Sequence, residues 1–234
     1  CGPTSTWPNT CLGAGAAHAY TVNSSGAWVW NGTLKPRIVR FSPSCGQAVA
    51  VAGDVVVVGC SGDRSPSTAV DVGETWPDGS SNFGSVHVWR LNSSNASASV
   101  RESYLKAATA VSSQGLGWTA TVAANATHEV VAATTPYTST GAPYGNASTS
   151  LAMPYDVPVG GGGQTSEGEV WTFVHAVGGG GVGTWRAAHR IKPPVGMVNE
   201  GFGWTMSAAT TADGEIVLGI GTMKGCRGYL VVLQ

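Results

Sequence analysis

Six of the nine asparagines stand in the pattern Asn-x-Ser/Thr: Asn23, Asn31, Asn92, Asn95, Asn125 and Asn146. In a chain about one-fifth Ser and Thr, chance gives roughly two such matches. The excess predicts a secreted, N-glycosylated protein, outside the cell or at its surface, with these side-chain amides as acceptors. Asn92 and Asn95 stand so close that both need not be occupied. Secretion makes disulfides expected among the five cysteines, Cys1, Cys11, Cys45, Cys60 and Cys226. No Cys-x-x-Cys pair occurs, so zinc ribbons and thioredoxin-like redox sites are out. An odd count leaves one thiol free or bridged to another chain.

Residues suited to catalysis are scattered. The close acid pairs are Glu167/Glu169 and Asp213/Glu215, both at strand starts, where solvated strand ends are the plainer reading. Glycoside cleavage needs two carboxylates facing each other across a cleft, which a sequence neither gives nor excludes. The five histidines, His18, His87, His128, His175 and His189, have no metal-ligand spacing. His87 alternates with Val86 and Val88 and is expected to point outward. There is no Gly-x-Ser-x-Gly, and the glycine runs Gly160–Gly163 and Gly178–Gly181 read as linkers, not phosphate loops. No catalytic residue, metal site or cofactor is assigned.

The elements that carry these residues read as strands. Charged residues are only 11% and glycines number 34 of 234, a composition poor in helix formers. Net charge is −1, with no basic cluster, so nucleic acid is not an expected partner. The longest apolar stretch, Ala48 to Cys60, is broken at Gly53-Asp54 and is too short to span a membrane. The chain opens at Cys1 without a signal-peptide pattern, which reads as a mature form or a fragment.

Short runs of Val, Ala, Trp and Ile alternate with Gly/Ser/Thr/Pro punctuation, and they recur. Cys45-Gly46-Gln47, Leu116-Gly117-Trp118 and Phe202-Gly203-Trp204 each open a strand pair. The partner strands run Val55 to Gly59, Glu129 to Ala133 and Glu215 to Gly219. Each unit then reaches a Gly-led strand, at Gly84, Gly168 and Gly228. Gly26-Ala27-Trp28-Val29-Trp30 reads as a fourth copy. A further short strand follows, at Glu102–Lys106 and Thr184–Ile191, with Arg37–Phe41 in the same place earlier. Tandem four-stranded units predict an all-β, propeller-like array of antiparallel blades. Its units span roughly 1–43, 44–114, 115–200 and 201–234 of one repeat domain.

The series Phe202-Gly203-Trp204 … Asp213-Gly214-Glu215-Ile216-Val217-Leu218-Gly219 … Gly228-Tyr229-Leu230-Val231-Val232 resembles the FG-GAP repeat of integrin α-subunits. So does Cys45-Gly46-Gln47-Ala48-Val49 through Val58-Gly59-Cys60. The resemblance runs from about residue 12 to the end and implies a β-propeller. The family's calcium loops do not carry over. The matching turns read Ala52-Gly53-Asp54, Ala124-Asn125-Ala126-Thr127 and Ala212-Asp213-Gly214, too few carboxylates for Ca²⁺. The Gly-Ala-Pro of the repeat is degenerate as well.

Trp118 and Trp204 hold matching repeat positions, which predicts packing in the core or between units. Two long loops join second to third strands. One carries Trp76 and Asp78, the other Tyr137, Tyr144 and Tyr155, and both are candidate partner surfaces. If Val51 faces Asp54 across a loop at Ala52-Gly53, an unbroken ladder places Cys45 opposite Cys60 in disulfide range.

The expected function is an extracellular adhesion or structural glycoprotein, a subunit of a surface or filamentous assembly with end-to-end contacts. Its partners would be other protein subunits, copies of itself, or a glycan or surface ligand. Residues before Asn23 could instead close a small ring of blades. The alternatives are a carbohydrate-active propeller enzyme, marked by a paired-carboxylate cleft with aromatic walls, and a lectin-like module.

Overall fold

A computed structural model describes residues 13–36, 43–72, 81–92, 100–108, 114–136, 168–177, 184–192, 201–224 and 227–233. Among these residues the chain is all-β, with thirteen strands and no helix. They are β1 (Ala17–Val22), β2 (Trp28–Leu34), β3 (Cys45–Ala52), β4 (Val55–Cys60), β5 (Ser85–Arg90), β6 (Val100–Leu105) and β7 (Ala120–Ala124). The remainder are β8 (His128–Thr135), β9 (Glu169–Ala176), β10 (Arg186–Ile191), β11 (Phe202–Thr210), β12 (Ile216–Thr222) and β13 (Gly228–Leu233). They form four antiparallel sheets in chain order: β1-β2, β3-β4-β5-β6, β7-β8-β9-β10 and β11-β12-β13. Every neighbour in a sheet is a neighbour in sequence, so hairpin-type connections suffice to build each sheet.

The sheets pack face to face, and the middle strands are apolar on both sides. On β4, Val55 and Val57 join a core shared with Val122, Val131, Ala133 and Phe173 of the third sheet. Val56, Val58 and Cys60 point the other way, into a core with Ala17 and Leu34 of the first. On β8, Ala132 turns toward Leu218, Ile220 and Val231 of the fourth sheet. This two-sided burial explains why Val55–Cys60 reads as a continuous apolar run rather than an alternation. Each buried Val, Leu or Phe side chain contributes about 1.5–3 kcal/mol. The Trp118 and Trp204 rings meet with centroids 5.5 Å apart, as their matching positions predict.

The sequence reading of the Gly-led strands needs correction in the first sheet. Gly84 bridges Leu116 where the second sheet meets the third, and Gly15 bridges Cys45 where the first meets the second. Gly168 lies against Phe202 in the same way. All three have φ between +71° and +76°, and a Cβ on any of them would collide with backbone of the next sheet. The equivalent of Gly84 is therefore Gly15, and β1 is the third-strand copy. Gly26 merely turns β1 into β2, with open space around it. β2 lies beside β1 in the fourth-strand place expected for Arg37–Phe41, and residues 37–41 lie outside the described set.

The β3–β4 hairpin also turns one residue later than expected. Its loop is Gly53-Asp54, closed by Ala52↔Val55. An unbroken ladder from that turn would set Cys60 opposite Gln47. A bulge at Gly46-Gln47 resets the register, so that Cys45 pairs with Cys60 and the two form a disulfide. Gly46 takes φ 93°, which a residue with a side chain rarely adopts.

Candidate functional site

The described sequons occupy turns, a bulge within β2 and the end of β5. Asn23 is exposed in the β1–β2 turn. Its Oδ1 accepts hydrogen bonds from Ser25 N at 3.0 Å, Ser25 Oγ at 2.7 Å and Ala27 N at 2.9 Å. Asn125 does the same in the β7–β8 turn, accepting from Thr127 N, Thr127 Oγ1 and His128 N at 2.9, 3.0 and 2.7 Å. Both asparagines thus shape their turns. They differ at the acceptor atom for a glycan. Nδ2 of Asn125 donates to Gly214 O at 2.8 Å, tying the third sheet to the fourth, and the residue is half-buried. Asn31 is the bulged residue of β2, also half-buried, with Nδ2 3.5 Å from Asn92 O. Asn92 itself is exposed just after β5. Asn95 and Asn146 lie outside the described residues, as do Trp76, Asp78, Tyr137, Tyr144 and Tyr155.

The described base of the first long loop is pinned by a buried polar network. Asp63 Oδ1 accepts from Ser65 N at 2.9 Å and Asp63 Oδ2 from Tyr104 Oη at 2.6 Å. Lys106 Nζ lies 4.0 Å from the same carboxylate and donates to Ser65 O at 2.8 Å and to Gly84 O. The Asp63 carbonyl accepts from Phe83 N and Gly84 N, both at 2.8 Å, which brings the two ends of the loop together. Burial alone would raise the Asp63 carboxyl. Lys106, together with the hydrogen bonds from Tyr104 and Ser65, overcomes this and holds it below its ordinary value.

Two more ion clusters lie in the third sheet. Glu129 on β8 receives both ends of the Arg90 guanidinium from β5 of the second sheet, and His175 Nδ1 sits 3.0 Å from it. The His175 ring stacks on Trp185 at 5.3 Å. Arg90 Nη1 also meets Asp54 at 3.1 Å. Asp54 and Glu129 are thus two carboxylates on one guanidinium nitrogen, with the cation standing where an acid–base pair would need its substrate. Glu169, fully buried, is held by Arg190 at 2.6 Å, Trp171 Nε1 at 2.9 Å and Gln114 Nε2 at 3.0 Å. Among the described residues no group of three His, Cys, Asp or Glu could hold a metal ion.

Two sequence readings change here. Glu169 is no solvated strand end, whereas Asp213 and Glu215 are exposed. His87 does point away from Val86 and Val88, yet it is 2% exposed, stacked on Trp89 at 5.6 Å and beside Tyr104 at 5.1 Å. The buried ion clusters were not legible at all, because their partners come from strands far apart in sequence.

Among the described residues, no sheet covers the two end faces of the stack. A bulge between Ala19 and Tyr20 skips Asn31, so the pairs Tyr20↔Trp30 and Val22↔Trp28 turn away from the side of Ala17 and Leu34. Trp28 is 74% exposed, and Tyr20, Val22 and Trp30 are more than half exposed. At the other end, the far side of the fourth sheet carries a shallow groove of about 400 Å³. Its floor is Gly219 and Gly221, with Thr205 and Ser207 on one wall and Leu230, 79% exposed, on the other. None of these residues is charged. Comparison with known protein families and with curated proteins finds no match.

Proposed function

We propose that this chain is an extracellular, N-glycosylated structural or adhesion protein, a subunit of a surface or filamentous assembly. The observation that carries the reading is the pair of largely apolar sheet faces that no other sheet covers, among the described residues, at opposite ends of the stack. Soluble proteins rarely expose contiguous apolar patches without a partner for them. Low charge adds to this, since little repulsion opposes close approach of copies. The exposed sequons at Asn23 and Asn92 and the Cys45–Cys60 disulfide support secretion.

On this reading the four-stranded meanders are blades of an FG-GAP-like propeller. The repeated glycine at the head of each third strand, Gly15, Gly84 and Gly168, supports one geometry recurring from blade to blade. The function needs no catalysis. Asp63, Glu129 and Glu169, the buried acids of the described residues, are each engaged by a cation and serve packing.

Light scattering and electron microscopy on the glycosylated protein test the proposal. Reversible self-association that rises with concentration, or filaments, is the expected result. A strictly monomeric species at high concentration, with no glycan on any sequon, would sink it.

A further inference from the structure

The end faces differ in shape, and the difference tells how copies meet. In the interior of the stack, each sheet presents the same three positions of its second strand to the sheet that follows. In the second sheet they are Val55, Val57 and Gly59, and Gly59 lies against the backbone of Gly117. In the third they are Val130, Ala132 and Thr134, and Thr134 lies against Gly203. The same positions in the fourth sheet are Val217, Gly219 and Gly221. Gly219 and Gly221 form the floor of the groove, and among the described residues no sheet lies over them. The glycine heading β13 tells the same story. Gly15, Gly84 and Gly168 each meet backbone of the following sheet, while Gly228 has open space.

We infer that this vacant face takes the aromatic face of the first sheet of a second copy, so that copies add head to tail. This rests on the assembly reading above and names its contact. The groove lacks side chains where the opposite face has its largest ones. Gly219 stands between Ser207 and Leu230 in register, leaving a trough one residue wide. Trp28 and Trp30 stand two apart on one strand and share a face, spaced as ridges that such a trough accommodates. None of Tyr20, Val22, Trp28 and Trp30 on the one surface, nor of the residues lining the groove on the other, is charged. No core cluster among the described residues joins the first sheet to the fourth, so within one copy these two sheets do not cover each other. Every copy carries both halves, and a heterologous contact of this kind repeats without limit or closes a ring of copies.

Two blocked variants test it. Trp28→Glu with Trp30→Glu blocks the aromatic end. Gly219→Arg fills the trough; a Cβ there has its nearest neighbour at 3.8 Å, so the strand accepts it. Leu230→Glu serves as a second trough variant, and circular dichroism with a thermal midpoint confirms that each folds. Wild type associates, and each variant alone is a monomer by light scattering. The aromatic-blocked and trough-blocked variants, mixed, give a dimer of twice the monomer mass and nothing larger. If the trough variants still associate while the aromatic variant does not, the contact is aromatic face to aromatic face and the inference is overturned. If wild type and all variants associate alike, these faces are not the contact, though the assembly reading stands. If wild type is monomeric at every concentration, the assembly reading fails and the inference with it.

Discussion

The guanidinium of Arg90 clamps both carboxylate oxygens of Glu129 across the boundary between the second and third sheets. Glu129 is buried and Arg90 is partly open to solvent, so the carboxylate depends on the cation more than the cation on it. Arg90→Ala leaves Glu129 with His175 alone. Loss of a partner from a buried pair costs about 3–5 kcal/mol, and the partial exposure of Arg90 lowers the expectation to about 2–3 kcal/mol. Urea unfolding measures it; a change under 0.5 kcal/mol, well below the range for such losses, would mean that water replaces the guanidinium.

The Cys45–Cys60 disulfide closes a loop of 15 residues in sequence separation. Cross-links of that span stabilise by roughly 3 kcal/mol. Cys45→Ala with Cys60→Ala should lower stability by about that amount. Gly46→Ala should also destabilise, by more than about 1 kcal/mol, because it strains the positive φ and its Cβ meets the Ala16 carbonyl. Equal stability of Gly46→Ala and wild type would show that the bulge is not needed to align the two cysteines.

Strong acid should loosen the loop network. The folded Asp63 carboxyl lies below its ordinary value of 3.8, so its contribution is full above that value. It is lost as pH falls through the lower, folded value. His189 adds a second, milder slope. Burial, and then Arg186, push its imidazole below the ordinary 6.5, so stability starts to fall as pH drops beneath 6.5. Thermal midpoints from pH 7 to pH 2 check both. Asp63→Asn should flatten the acid limb and His189→Gln the slope below 6.5; unchanged profiles would refute the assignments.

Glycan occupancy should follow the local geometry. Asn23 and Asn92 are exposed and are expected to be occupied, while Asn125, whose Nδ2 bridges to Gly214, is expected to be largely bare. Glycopeptide mass spectrometry reads this directly. Full occupancy at Asn125 with none at Asn23 would reverse the order. Asn125→Ala should in addition cost about 1–2 kcal/mol, since it removes a turn-shaping acceptor and the bridge to the fourth sheet.

Much of the architecture was open to reading in the residues alone. Gly-punctuated runs such as Val55–Cys60 and Ile216–Thr222 specify strands, because β-branched residues suit a pleated backbone and Gly-Asp or Asp-Gly turns it. Recurrence of Leu116-Gly117-Trp118 as Phe202-Gly203-Trp204 gives a repeat, and matching positions then meet, as the Trp118–Trp204 contact does. The sequons are visible in full. Phase and cover are another matter. Alternation assigns faces only until a bulge shifts it by a residue, and the bulges at Asn31 and at Gly46-Gln47 arise from how strands are matched across the sheet. One sends Trp28 and Trp30 to the outer face; the other brings Cys45 to Cys60. His87 was assigned its face correctly, but burial depends on what lies over that face, here Trp89 and Tyr104. Glu129 and Glu169 find their cations on distant strands, a pairing that only packed sheets create. Local sequence sets which backbone forms; tertiary packing decides which side of it meets water.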